Sequence, residues 1–121
     1  MFRKNAIIEN FYDHAYKVLR DKLFDQGDAL SKAIHTYRIK EIKVRLFPEH
    51  TESHSHAVQE LKTAQQQIWL CKFNYINALK AVQEYYTNNH QHFVVCKDYA
   101  DPNTDYSTVD EIIERIIARE F

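Results

Sequence analysis

From residue 53 to residue 90 the chain has neither glycine nor proline, and its apolar residues fall at heptad spacing. Leu61, Ala64, Ile68, Cys71, Tyr75, Ala78, Val82 and Tyr85 alternate steps of three and four. That spacing keeps one helical stripe turned toward a neighbour. It predicts one long helix over about 55–88, roughly 50 Å at 1.5 Å per residue. Its middle, Ile68, Trp69, Leu70 and Cys71, is apolar on all sides, so this level calls for cover on more than one face. Trp69, Phe73 and Ile76 make a second stripe beside the seam.

The strong breakers are Gly27, Pro48 and Pro102, and they divide the chain into four pieces. The first, about 4–25, carries Ile8, Phe11, Tyr12, Ala15, Val18, Leu19 and Leu23 as an apolar stripe, with Glu9, Asp13, Lys17, Arg20 and Asp21 largely opposite. Gly27 is expected to end it and Asp28 to cap a second helix. Leu30, Ala33, Ile34 and Tyr37 keep helical spacing there, but Ile42, Val44 and Leu46 alternate with Lys43 and Arg45. Residues 41–47 therefore suit helix and strand equally. Pro48 ends whatever precedes it. Thr51, Ser53 and Ser55 are candidate caps for the long helix.

Beyond it, residues 92–97 form a second candidate extended segment, and 101–105 read as a loop. A last helix is expected from Ser107 or Thr108, with Thr108 and Glu111 as a capping box and Val109, Ile112, Ile113, Ile116 and Ile117 on one face. The expected architecture is a single all-α domain over 1–121, a small bundle of about four helices. Helices so unequal in length leave the long one overhanging, and a homodimer through it, or a protein partner, buries the overhang.

Of the residues, 45% are apolar and 27% charged, the balance of a globular chain. No apolar run approaches the ~18 residues of a membrane span, and no secretory leader is visible, so a cytoplasmic protein without membrane contact is expected. Cys71 and Cys96 read as reduced structural thiols. Net charge is −1, unevenly spread: seven carboxylates face Arg115 and Arg119 from residue 98 onward, while Arg38, Lys40, Lys43 and Arg45 form a basic segment. The acidic end is expected to pack beside that basic segment of its own chain.

With one glycine, the chain lacks the loops that cradle nucleotide phosphates, and it has no nucleophile elbow and no paired Glu-x-x-His motifs. No cofactor is expected. His50, His54 and His56 precede the long helix, and His90, His92 and Cys96 follow it. Neither group has zinc-ligand spacing, so no metal is expected and the histidines read as polar residues at helix ends.

Arg45-Leu-Phe-Pro-Glu-His50 resembles the Arg-x4–6-His signature of the HEPN superfamily, small helical bundles that include ribonucleases and antitoxin partners. The resemblance covers two residues and implies that Arg45 and His50 act together on RNA phosphate. Pro48 stands between them, where that family keeps a polar residue beside the arginine. Arg38, Lys40, Lys43, Arg45 and His50 are accordingly the candidate nucleic-acid residues of an alternative reading.

The favoured reading is a non-catalytic protein-binding module, such as an inhibitor, immunity or antitoxin-type protein, adaptor or chaperone. Aromatic residues are the natural anchors of such a surface. Trp69, Phe73, Tyr75, Tyr85 and Tyr86 are the candidates, and Tyr16, Tyr86, Tyr99, Tyr106 and Phe121 lie off or at the margin of their stripes.

Overall fold

The computed structural model describes residues 8–98 and Glu111. Two long antiparallel helices, α1 (Phe11–Leu46) and α2 (Glu52–Asn89), make up most of it, followed by two single turns of 3-10 helix, His90–His92 and Cys96–Asp98. Among the described residues there is no strand. No helix among them is long and apolar enough to cross a membrane.

The chain is all-helical, but the four expected helices are not its plan. The first two are one. α1 runs 36 residues through Gly27 and Asp28, which neither end nor start a helix. A mid-helix glycine costs about 1 kcal/mol against alanine. Tertiary pairing outweighs that cost, because Tyr12, Tyr16, Leu19, Leu23, Leu30, Ala33 and Tyr37 face α2 along one continuous heptad stripe on both sides of the glycine. At Gly27 the Tyr75 ring comes so near that an added Cβ would lie 3.4 Å from it.

The other expected boundaries also move. Ile8 to Asn10 are not helical, and α1 starts at Phe11, capped by a reciprocal pair: Asn10 Oδ1 accepts from Asp13 N–H, and Asp13 Oδ2 accepts from Asn10 N–H. Residues 41–46 are helix rather than strand, since Lys43 joins Lys40 one turn away on Glu60 of α2, a geometry only the helix provides. Phe47, with ψ 138°, takes the extended conformation that Pro48 requires. Thr51 is the cap of α2, its hydroxyl accepting from His54 N–H at 3.1 Å. Residues 92–97 turn rather than extend. The expected last helix lies outside the described residues apart from Glu111, which is helical.

The seam of α2 packs as its spacing predicts. Ala64, Ile68 and Cys71 meet Leu30, Ala33 and Tyr37, with Leu61 and Tyr75 at the margin. At the open end of the hairpin Val82 joins Tyr16, Phe93 and Cys96, flanked by Tyr12, Tyr85 and Tyr86. With 36 and 38 residues the two helices match in length, so neither overhangs. Both cysteines are free and buried.

Candidate functional site

The open end is closed by one carboxylate. Asp13 is fully buried, contrary to its expected place on the polar face. Its Oδ1 accepts the backbone N–H of Val94 at 3.0 Å, Val95 at 2.9 Å and Cys96 at 2.8 Å. Three successive N–H groups in a turn form a concavity for an anion, and here the anion comes from α1. Burial opposes ionisation of Asp13, but the N–H groups of Cys96, Asn10, Val94 and Val95 favour it and bring its pKa down from 3.8 to about 2. Asn10 Nδ2 donates to the His92 carbonyl at 2.8 Å, and the Tyr12 ring stacks on His92. Burial pushes the Cys96 thiol pKa up, as befits an inert thiol. This arrangement pins the segment after α2 to the start of α1. It is a latch, and its carboxylate is fully engaged within the chain.

The aromatic candidates divide into two groups. Tyr75, Tyr85 and Tyr86 are half-buried inside the hairpin. Tyr75 lies beside Gly27. Tyr86 meets Tyr16 at 5.9 Å between ring centroids and stacks on His90 at 4.7 Å. The Tyr85 hydroxyl is buried and finds no hydrogen-bond partner among the described residues. Tyr16, expected at the margin, is 1% exposed because it fills the space between Val82, Phe93 and Tyr86. Tyr99, Tyr106 and Phe121 lie outside the described residues.

Trp69 and Phe73 are different. They sit on the outer face of α2 with Leu70, at 41%, 63% and 53% exposure. The level that was expected to be covered on more than one side is covered on one. Lys72 reaches over the Trp69 ring, its Nζ 4.3 Å from the centroid. Across residues 61–83 the charged residues of α2 are Lys62, Lys72 and Lys80, with no carboxylate among them. The outer face is thus an apolar centre with Lys62, Lys72 and Lys80 about it and the exposed Glu84 one turn beyond Lys80. Leu70, part of the apolar level 68–71 but not one of the candidate anchors, joins Phe73 by i, i+3 spacing.

The basic segment is largely occupied. Glu60 Oε1 accepts from Lys40 at 2.9 Å and Lys43 at 3.3 Å, and His56 lies 3.3 Å from Oε2. Hydrogen bonds from Lys40 first and Lys43 second hold the Glu60 carboxyl below the usual glutamate pKa. Arg45 stands 3.8 Å from Glu41, and Arg38 is exposed on α1. His50 lies in the inter-helix turn with φ 66°. Arg45 and His50 therefore belong to different elements, the last turn of α1 and the connection after it. Among the described residues no three His, Cys, Asp or Glu side chains converge on a common metal position.

Compared with protein-family models, curated proteins and solved structures, the chain matches none.

Proposed function

We propose that this chain is a non-catalytic protein-interaction module that takes an acidic, amphipathic helix of another protein on the outer face of α2. The observation that carries the reading is the exposure of Trp69, Leu70 and Phe73 on a helix whose seam is already filled by α1. Large apolar side chains grouped in the open mark binding surfaces, and tryptophan is the residue type most enriched at their energetic centres. Lys62, Lys72 and Lys80 favour a partner whose polar rim is carboxylate. Tyr75, Tyr85 and Tyr86 serve the same surface indirectly, by holding the hairpin rigid. Small inhibitors, antitoxins, adaptors and chaperones all act by covering part of another protein in this way.

Against the nucleic-acid reading stand Glu60 and Glu41, which place negative charge among Lys40, Lys43 and Arg45. The test is affinity capture from native lysate with the wild type, Trp69→Ala and Phe73→Ala. The same protein should be lost from both variants while their helical circular dichroism stays unchanged. Retention of that protein by both variants sinks the reading.

A further inference from the structure

We infer that two copies of this chain pair antiparallel through the outer face of α1, about a two-fold axis that sets Asp25 of each copy against Lys32 of the other. The contact uses the side of the hairpin turned away from α2. It leaves Trp69, Leu70 and Phe73 open and does not depend on the partner reading of their face.

Tyr16, Leu23, Leu30 and Tyr37 recur every seven residues and pack toward α2. The residue two places after each lies a little over half a turn round the helix, on the side away from α2. Those residues are Val18, Asp25, Lys32 and Ile39, and the same spacing takes in Phe11 at one end and Leu46 at the other. All six are exposed, the four apolar ones by between 51% and 77%. Because the seam keeps its seven-residue register along α1, this outer stripe runs along the opposite side without drifting. It spans the 36 residues of the helix, about 54 Å.

The stripe is complementary to itself when reversed. Phe11 and Leu46 are large and apolar, Val18 and Ile39 are β-branched, and Asp25 and Lys32 carry opposite charge. The members of each pair lie equally far from the midpoint between Asp28 and Ala29. A two-fold axis there brings Phe11 onto Leu46 of the second copy, Val18 onto its Ile39 and Asp25 onto its Lys32, and the symmetry repeats each contact. Parallel pairing in register would instead set Asp25 on Asp25 and Lys32 on Lys32, so the central charges select orientation as well as register. Asp21 and Asp28 border the middle on one side and Lys22 on the other. With Asp25 and Lys32 they make three carboxylates against two ammonium groups, so no block of like charge opposes the approach. Asp28, beside the axis, has Lys32 one turn on along its own helix.

The parts of the stripe divide the work. Its apolar ends give four contacts across the axis, two of Phe11 with Leu46 and two of Val18 with Ile39, and burial of these side chains drives association. The two central ion pairs add little attraction, because exposed pairs gain little over their hydration. They matter by penalising every other alignment, as a polar residue in an apolar seam does in a coiled coil.

The test is molar mass in solution, by light scattering and sedimentation of the full chain over a range of concentrations. The wild type should pass from monomer to dimer as concentration rises. Asp25→Lys alone and Lys32→Asp alone each turn two attractive contacts into two repulsive ones, and each should raise the dissociation constant about tenfold or more. An equal mixture of these two variants should form a mixed dimer, and the double variant Asp25→Lys/Lys32→Asp should dimerise as the wild type does, since both restore opposite charges across the axis. Asp25 and Lys32 are exposed, so helical circular dichroism should be the same in every variant. For orientation, chains carrying Val18→Cys and chains carrying Ile39→Cys should cross-link to one another on mild oxidation and not to themselves. A wild type that is monomeric at every concentration overturns the pairing. A dimer that tolerates both single reversals also overturns it and puts the contact on another face. Cross-linking of either cysteine variant to itself overturns the antiparallel arrangement.

Discussion

The Asp13 carboxylate accepts the Cys96 backbone N–H at 2.8 Å across 83 positions of sequence. The same carboxylate caps α1 through Asn10 N–H, so helix initiation and chain closure share one charged group. Such economy has a consequence: loss of that charge loosens both ends of the hairpin's open side together.

Acid should therefore weaken this end specifically. Asp13 has a folded pKa of about 2 against an ordinary 3.8, so its contribution is complete above about pH 4 and disappears as the pH falls through 2. Asp13→Asn should lower stability at pH 7 by about 1.5–3 kcal/mol, the worth of hydrogen bonds to a charged acceptor. Denaturant melts of the two proteins should converge between pH 4 and pH 2. A gap that stays constant over that interval would show that the charge is not what holds Cys96.

Gly27→Ala should stabilise the hairpin. Alanine gains up to about 1 kcal/mol of helix propensity at an interior position. Its methyl group would meet the Tyr75 ring at 3.4 Å, ordinary van der Waals contact, so little is lost in return. A rise in the thermal midpoint is the expected result, and a fall would mean that the ring cannot yield.

Tyr16→Ala and Trp69→Ala should differ sharply. Tyr16 is 1% exposed in the open-end cluster, and emptying such a site costs about 3–5 kcal/mol. Trp69 touches solvent on the outer face of α2, where truncation should stay within about 0.5 kcal/mol. Comparison of their chemical denaturation midpoints separates a residue of the core from one of the exposed outer face.

Glu60→Gln should expose the basic segment. Its charge lies against Lys40 and Lys43, and its removal leaves those cations without their counter-charge. The variant should elute later than wild type from a heparin column, and the difference should shrink as salt screens the surface. Identical elution would show that this carboxylate does not govern the polyanion affinity of the chain.

Much of the hairpin was legible in the sequence. Every position of the α2 seam, Leu61 through Tyr85 at steps of three and four, packs inward or at the margin. Thr51 and Pro48 bound the inter-helix turn as their chemistry requires. Read locally, Gly27 divides α1, because a glycine outweighs the pattern around it. The missed signal is the stripe Tyr12, Tyr16, Leu19, Leu23, Leu30, Ala33 and Tyr37, which keeps its heptad register across the glycine. With that register chosen, Phe11 and Val18 turn out to solvent, and Asp13 and Tyr16 turn in.

The sequence by itself determined that the chain is helical, where its longest helix lies and which stripe of that helix is buried. These follow from periodicity, caps and breakers, which act over a few residues. The tertiary structure decided that α1 is unbroken, that Asp13 is buried and that Trp69, Leu70 and Phe73 stay bare. Each depends on what another part of the chain brings within bonding distance: Tyr75 at Gly27, three backbone N–H groups at Asp13, and α1 on the opposite side of α2 from Phe73. Spacing along one helix defines its apolar face, but only long-range pairing settles which apolar face is covered and which stays exposed.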